Sequence, residues 1–195
     1  MFFMRIFLTV LILIFSLQFW TKADDISDFE IEGMSIGDSL LDFYSEKEIK
    51  QNIQVNYFSR IKDKTFITTE IRNDKFENYD GLQIILKRND NTYKIYGMHG
   101  IIFYEKNINL CYKKLSEISK DIEKNIKYEL KDVFENLDMG GKRGRYSGTT
   151  FLLKFGIISV HCYDWSKEIE KKNRWTDNLR VNIKTDEYEN FLQLD

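Results

Sequence analysis

The segment 107–130, NINLCYKKLSEISKDIEKNIKYEL, decides the fold. Ile108, Cys111, Leu115, Ile118, Ile122 and Ile126 recur at steps of three and four, while Lys113, Lys114, Glu117, Lys120, Glu123 and Lys124 fill the positions between them. That spacing winds the apolar side chains onto one face of an amphipathic helix and the charges onto the other. Cys111 falls on the apolar stripe near the helix start.

On either side of the helix the period shortens. Upstream, 66–72 is rich in Ile and Thr, and apolar runs follow at 82–88 and 93–104. Asn89-Asp90-Asn91-Thr92 separates the last two, which predicts an antiparallel hairpin. Gly97 and Gly100 lie inside the longer run, where glycine marks a bulge or bend. Downstream, a polar, glycine-rich stretch at 131–148 leads to two more strands, 149–155 and 157–163, with Gly156 as their turn. Ser166 starts a short helix, 179–183 alternates as a last strand, and Asp186 with Glu189 opens a terminal helix carrying Tyr188, Phe191 and Leu192. Near the start of the chain, Ser35 with Asp38 predicts a capped short helix, and Ser45 with Glu48 forms a capping box for a second one.

Runs of hairpin-connected strands around one long helix predict an α+β fold, a mostly antiparallel sheet with the long amphipathic helix packed on one face and short helices at both ends. In the strand 157–163, Ile158, Val160 and Cys162 share a face because alternate strand residues point the same way. Cys111 and Cys162 therefore both face the core. They are the two cysteines of the chain, and a helix-to-sheet disulfide between them is expected in an oxidising compartment.

Residues 1–23 predict such a compartment. Arg5 supplies a positive start, 6–20 is an apolar run shorter than a membrane span needs, and Thr21-Lys22-Ala23 places a cut after Ala23. The reading is a cleaved secretory signal followed by a single domain over 24–195, periplasmic or secreted and touching a membrane only through the uncleaved signal. Without Arg5 and Lys22, the chain's 29 basic residues fall to 27 against 31 acidic ones, a net charge near −4. That balance argues against nucleic acid as a partner. The acidic lead-in of Asp24, Asp25, Asp28, Glu30 and Glu32 has no Asp-x-Asp-x-Asp-Gly loop, so it reads as a solvated or edge-strand segment rather than a calcium site.

Three groups of residues have chemistry to offer. Gly140-Gly141-Lys142-Arg143-Gly144-Arg145 sets Lys142, Arg143 and Arg145 on a flexible loop, either a possible anion cradle or a solvated hairpin tip. His161-Cys162-Tyr163-Asp164 carries metal-ligating side chains, but His161 and Cys162 point to opposite faces of a strand, so no metal is assigned. Trp165 and Trp175 are candidates for an aromatic functional surface, with core filling as the alternative. No Gly-x-Ser-x-Gly elbow accompanies His99 or His161, and no catalytic residue or cofactor is assigned.

Ile31-Glu32-Gly33-Met34-Ser35, followed by Leu40, Leu41 and Phe43, resembles the opening of the SmpA/OmlA and beta-lactamase-inhibitor-like small envelope domains over 31–44. The rest departs from that family, whose domain is smaller and lacks a cysteine-bearing long helix between two strand groups. The resemblance implies binding and assembly rather than catalysis, and transfers no functional residue. The expected function is an exported, non-catalytic module that binds a protein or envelope component. The alternatives are a small-ligand carrier with an apolar pocket between helix and sheet, and a hydrolase using an unidentified carboxylate pair.

Overall fold

The computed structural model describes residues 25–73 and 75–193, so the export segment 1–23 lies outside the described residues. A capped 3-10 turn, Ile26–Asp28, leads into a hairpin of β1 (Glu30–Ile31) and β2 (Met34–Ser35). Its two turn residues, Glu32 and Gly33, have φ of 51° and 77°, the left-handed values that a two-residue hairpin turn requires. The main sheet contains β3 (Phe66–Ile71), β4 (Gly81–Lys87), β5 (Ile95–Phe103), β6 (Leu130–Asp138), β7 (Gly144–Leu153), β8 (Gly156–Trp165) and β9 (Asn178–Thr185). The seven strands run in the order β3-β4-β5-β9-β8-β7-β6, and every neighbouring pair is antiparallel. The last strand, β9, enters between β5 and β8 and joins two consecutive meanders into one sheet.

Four helices accompany the sheet among the described residues: α1 (Glu46–Gln51), α2 (Ile108–Asn125), α3 (Lys167–Asn173) and α4 (Asp186–Leu192). The predicted Ser45–Glu48 capping box starts α1, and Asn107 caps α2. Cys111 and Cys162 are joined as expected, with Cα atoms 6.0 Å apart, tying the first turn of α2 to β8. Among the described residues no helix is long and apolar enough to cross a membrane.

Three expectations are corrected. First, the polar, glycine-rich stretch 131–148, for which the sequence pattern predicts no strand, contains β6 and the first half of β7. It hides from pattern reading because β6 is an edge strand exposed on both faces, with Leu130 61%, Val133 55% and Leu137 43% exposed, so no buried face imposes a period of two. Second, the Ser35 helix is absent. Asp38 accepts the Ser35 N–H at 2.8 Å, and Gly37 and Leu40 donate to the carbonyls of Ile95 and Tyr93, so the segment bonds to β5 and its approach instead of to itself. A 3-10 turn at Leu40–Asp42, capped by Ser39, remains. Third, the sheet is covered on both faces. α2 and the N-terminal segment bury Ile84, Met98, Phe151, Val160, Val181 and Ile183 on one side. On the other side Tyr188 and Phe191 of α4 pack with Ile61, Phe66 and Ile85.

That second cover is small. It shields β3, β4, the adjoining ends of β5 and β9 and the start of β8, and leaves the same face of β7 and the rest of β8 to its own side chains. Along β8, Ile158, Val160 and Cys162 are buried toward α2, whereas His161, Tyr163 and Trp165 project from the partly open face.

Candidate functional site

Sheet register assembles the partly open face from non-adjacent sequence. Tyr146 of β7 lies opposite Tyr163 of β8, Tyr163 opposite Asn178 of β9, and His161 opposite Arg180. Gly148 lies opposite His161, and a Cβ there would strike His161 and come within 2.8 Å of Phe134, so glycine is what lets these rings close over β7. A line of aromatic contacts results. Phe134 meets Tyr146 at 5.1 Å between ring centroids, Tyr146 lies nearly parallel to Tyr163 at 6.1 Å, and Tyr163 nearly parallel to Trp165 at 5.5 Å.

Trp175 completes the line from outside the sheet. Arg174 ends α3 with φ of 55°, turning the chain back toward β8. Asp177 then accepts the Trp165 backbone N–H at 2.8 Å, and its own carbonyl accepts from Tyr104 at 2.7 Å. This pins the return segment so that Trp175 meets Trp165 at 4.6 Å. Burial raises the Asp177 pKa against the opposing effect of the Trp165 N–H. The structure thus brings the two predicted tryptophans together on one surface.

Beside them lies a pocket of about 530 Å³, bounded by Tyr163, Trp165 and Trp175 on one side and by Glu70, Gln83 and Phe103 on the other. That volume is in the range of small-molecule sites. Its polar groups hold one another in place. Arg180 donates to Asn178 Oδ1 at 3.2 Å and Gln83 Oε1 at 3.4 Å, while its guanidinium carbon lies 5.7 Å from the Tyr163 ring centre. Gln83 also accepts from the Tyr57 hydroxyl at 2.9 Å and donates to Glu70 at 3.3 Å, and Glu70 pairs with Arg72 at 2.9 Å. Side chains fixed this way present donors and acceptors with little ordering left to do on binding.

The other candidates are placed differently. Lys142, Arg143 and Arg145 occupy the β6–β7 turn, but Arg143 donates to the Met139 and Gly140 carbonyls and Arg145 to the Asn136 carbonyl at 2.6 Å and 3.0 Å. The two guanidiniums close their own hairpin and are not brought to a common centre with Lys142. His161 and Cys162 point to opposite faces, and Cys162 is in the disulfide. Burial, with a smaller contribution from Lys184, lowers the His161 pKa to about 4, so the ring is neutral at pH 7 and contacts Thr150 and Tyr163 at 3.4 Å. Among the described residues no three His, Cys, Asp or Glu side chains gather as a metal site. On the α2 side, a groove of about 670 Å³ runs beside the helix, between it and β6–β7, over Leu115, Ser119, Val133 and Thr149.

Sequence reasoning missed Arg180, Gln83, Asn178, Tyr146 and Tyr163 as members of one site. A signal existed in β8 and β9. The positions alternate to the apolar set are Ser159, His161, Tyr163 and Trp165 in one and Asn178, Arg180, Asn182 and Lys184 in the other, too aromatic and too specific in polarity for a merely solvated face. The chain matches no family model, no curated protein and no solved structure.

Proposed function

We propose that the protein is an exported, non-catalytic binding module that holds the rings of a glycan, an envelope component, against the open half of its sheet. The observation that carries this reading is the continuous aromatic surface from Tyr146 through Tyr163 and Trp165 to Trp175, next to a pocket edged by fixed amide, carboxylate and guanidinium groups. A sugar ring has an apolar C–H face for aromatic contact and hydroxyls around its rim for planar polar side chains. Both features are present side by side. The Glu70 carboxylate is engaged by Arg72 and Gln83, which supports a binding role over general acid–base chemistry. The disulfide supports an oxidising, periplasmic or secreted setting. The resemblance of 31–44 to envelope binding domains supports the same class.

Beyond 1–23, Trp165 and Trp175 are the tryptophans of the chain, so their emission reports on this face directly. Titration with neutral and carboxylated oligosaccharides is expected to give a saturable change in emission with at least one of the two classes. A flat response to both overturns the reading. The groove beside α2 favours a second reading, a carrier of small apolar ligands, and an occupant there would leave both tryptophans silent.

A further inference from the structure

We infer that the ring held at this face carries a carboxylate, making the ligand an acidic glycan, with Arg180 as the carboxylate-binding residue. The inference rests on the glycan reading above and adds the charge of the ligand.

Three arginines line the pocket, Arg72, Arg174 and Arg180, against two carboxylates, Glu70 and Glu105. Arg72 is neutralised by Glu70 at 2.9 Å. Arg180 is not neutralised. Its hydrogen bonds go to Asn178 and Gln83, both uncharged, and among the described residues it forms no ion pair. Partly buried between β8 and β5, a guanidinium with neutral acceptors retains donors in a planar fork that matches a carboxylate. Arg174, at the end of α3, stands on the rim with no ion pair among the described residues, adding a second positive charge.

The whole chain has a net charge of −2, so the excess of arginine over carboxylate in this pocket runs against the overall charge of the protein. Local positive charge on an acidic protein gives recognition of a specific anionic group rather than general attachment to polyanions.

The geometry divides the work between the groups. Tyr163, Trp165 and Trp175 meet the ring faces, Arg180 takes the carboxylate, and the half-buried Glu70 carboxylate, with lone pairs beyond its bonds to Arg72 and Gln83, accepts from a hydroxyl.

The test uses two probes that share every ring atom, trigalacturonate and its methyl ester, titrated at constant ionic strength with tryptophan emission as readout. The acid is expected to bind at least about tenfold tighter than the ester. Arg180→Gln is expected to abolish the preference for acid over ester, so that the variant binds the two probes equally. Arg174→Asn, which suits the left-handed backbone at that position, is expected to reduce acid affinity by a smaller factor. Equal affinity for acid and ester, or an acid preference that survives Arg180→Gln, overturns the charge inference while the glycan reading stands. Binding of neither probe to the wild type overturns both. If Arg180→Gln fails to fold, the acid-to-ester ratio of the wild type and of Arg174→Asn still decides the matter.

Discussion

The two faces of β8 and β9 are built from alternate residues of the same strands, and they differ sharply in chemistry. Toward α2 the strands present Ile158, Val160, Cys162, Leu179, Val181 and Ile183, all fully buried. Toward the other side they present His161, Tyr163, Trp165, Asn178, Arg180 and Asn182, buried or half-buried and joined by hydrogen bonds and ring contacts. Strand parity alone separates them. One face supplies apolar burial and a covalent tie, which do not depend on any ligand. The other gathers polar and aromatic groups beside the pocket, and the proposed recognition rests on them.

The separation is broken most forcefully at the disulfide. Closing a loop with a sequence separation of 51 residues constrains the unfolded chain, and the loop-entropy relation gives about 4 kcal/mol. Replacing both Cys111 and Cys162 with alanine is therefore expected to lower the urea midpoint by the equivalent of about 4 kcal/mol while ligand affinity stays within about twofold, because the sulfurs lie on the face away from the pocket. A folded double variant that no longer binds would show that the two faces are coupled through β8.

Acidification acts on the opposite side. His99 is 7% exposed, flanked in register by Gln83 and Asn182, with Tyr188 against its ring at 6.2 Å. Burial, aided by the positive charges of Arg180 and Lys184, lowers its pKa to about 3. In the unfolded chain a histidine titrates near 6.5, so between those values the unfolded state binds the extra proton and stability falls as pH falls. For His99 the loss is about 2 kcal/mol between pH 7 and pH 5. His161, lowered to about 4, acts in the same direction. Denaturation at the two pH values should show His99→Gln losing about 2 kcal/mol less than the wild type on acidification. An undiminished loss would place the pH sensitivity in groups other than this histidine.

The apolar face was also the legible one. The stripe from Ile108 to Ile126, the Ile158, Val160 and Cys162 alternation and the cysteine pairing follow from periodicity, because burial forces the pattern into the sequence. The open face imposes no such pattern. Trp165 and Trp175 stood out by composition, but their meeting depends on Asp177 and on the left-handed Arg174, neither of which has a sequence spacing that marks it. Arg180 and Gln83 are separated by 97 positions and meet only because β9 inserts beside β5, a topological fact that local patterns do not contain. β6 was hidden for the related reason that an edge strand exposed on both sides has no inside to alternate with.

The smallest effect on stability is expected where the effect on binding is large. Trp175 is 46% exposed and sits outside the sheet, where its one ring contact among the described residues is with Trp165. Its truncation to alanine removes one aromatic pair and leaves strand register, Asp177 and the disulfide in place, so the cost in stability should be about 1 kcal/mol or less. The same change removes one wall of the pocket, and the glycan-dependent response of Trp165 should disappear. Thermal unfolding and titration of the one variant give both numbers. If unfolding shifts by several kcal/mol, Trp175 is a structural cover for Trp165, and the open face belongs to the core after all. If stability is kept and binding is lost, the two faces of these strands divide folding from recognition down to single side chains.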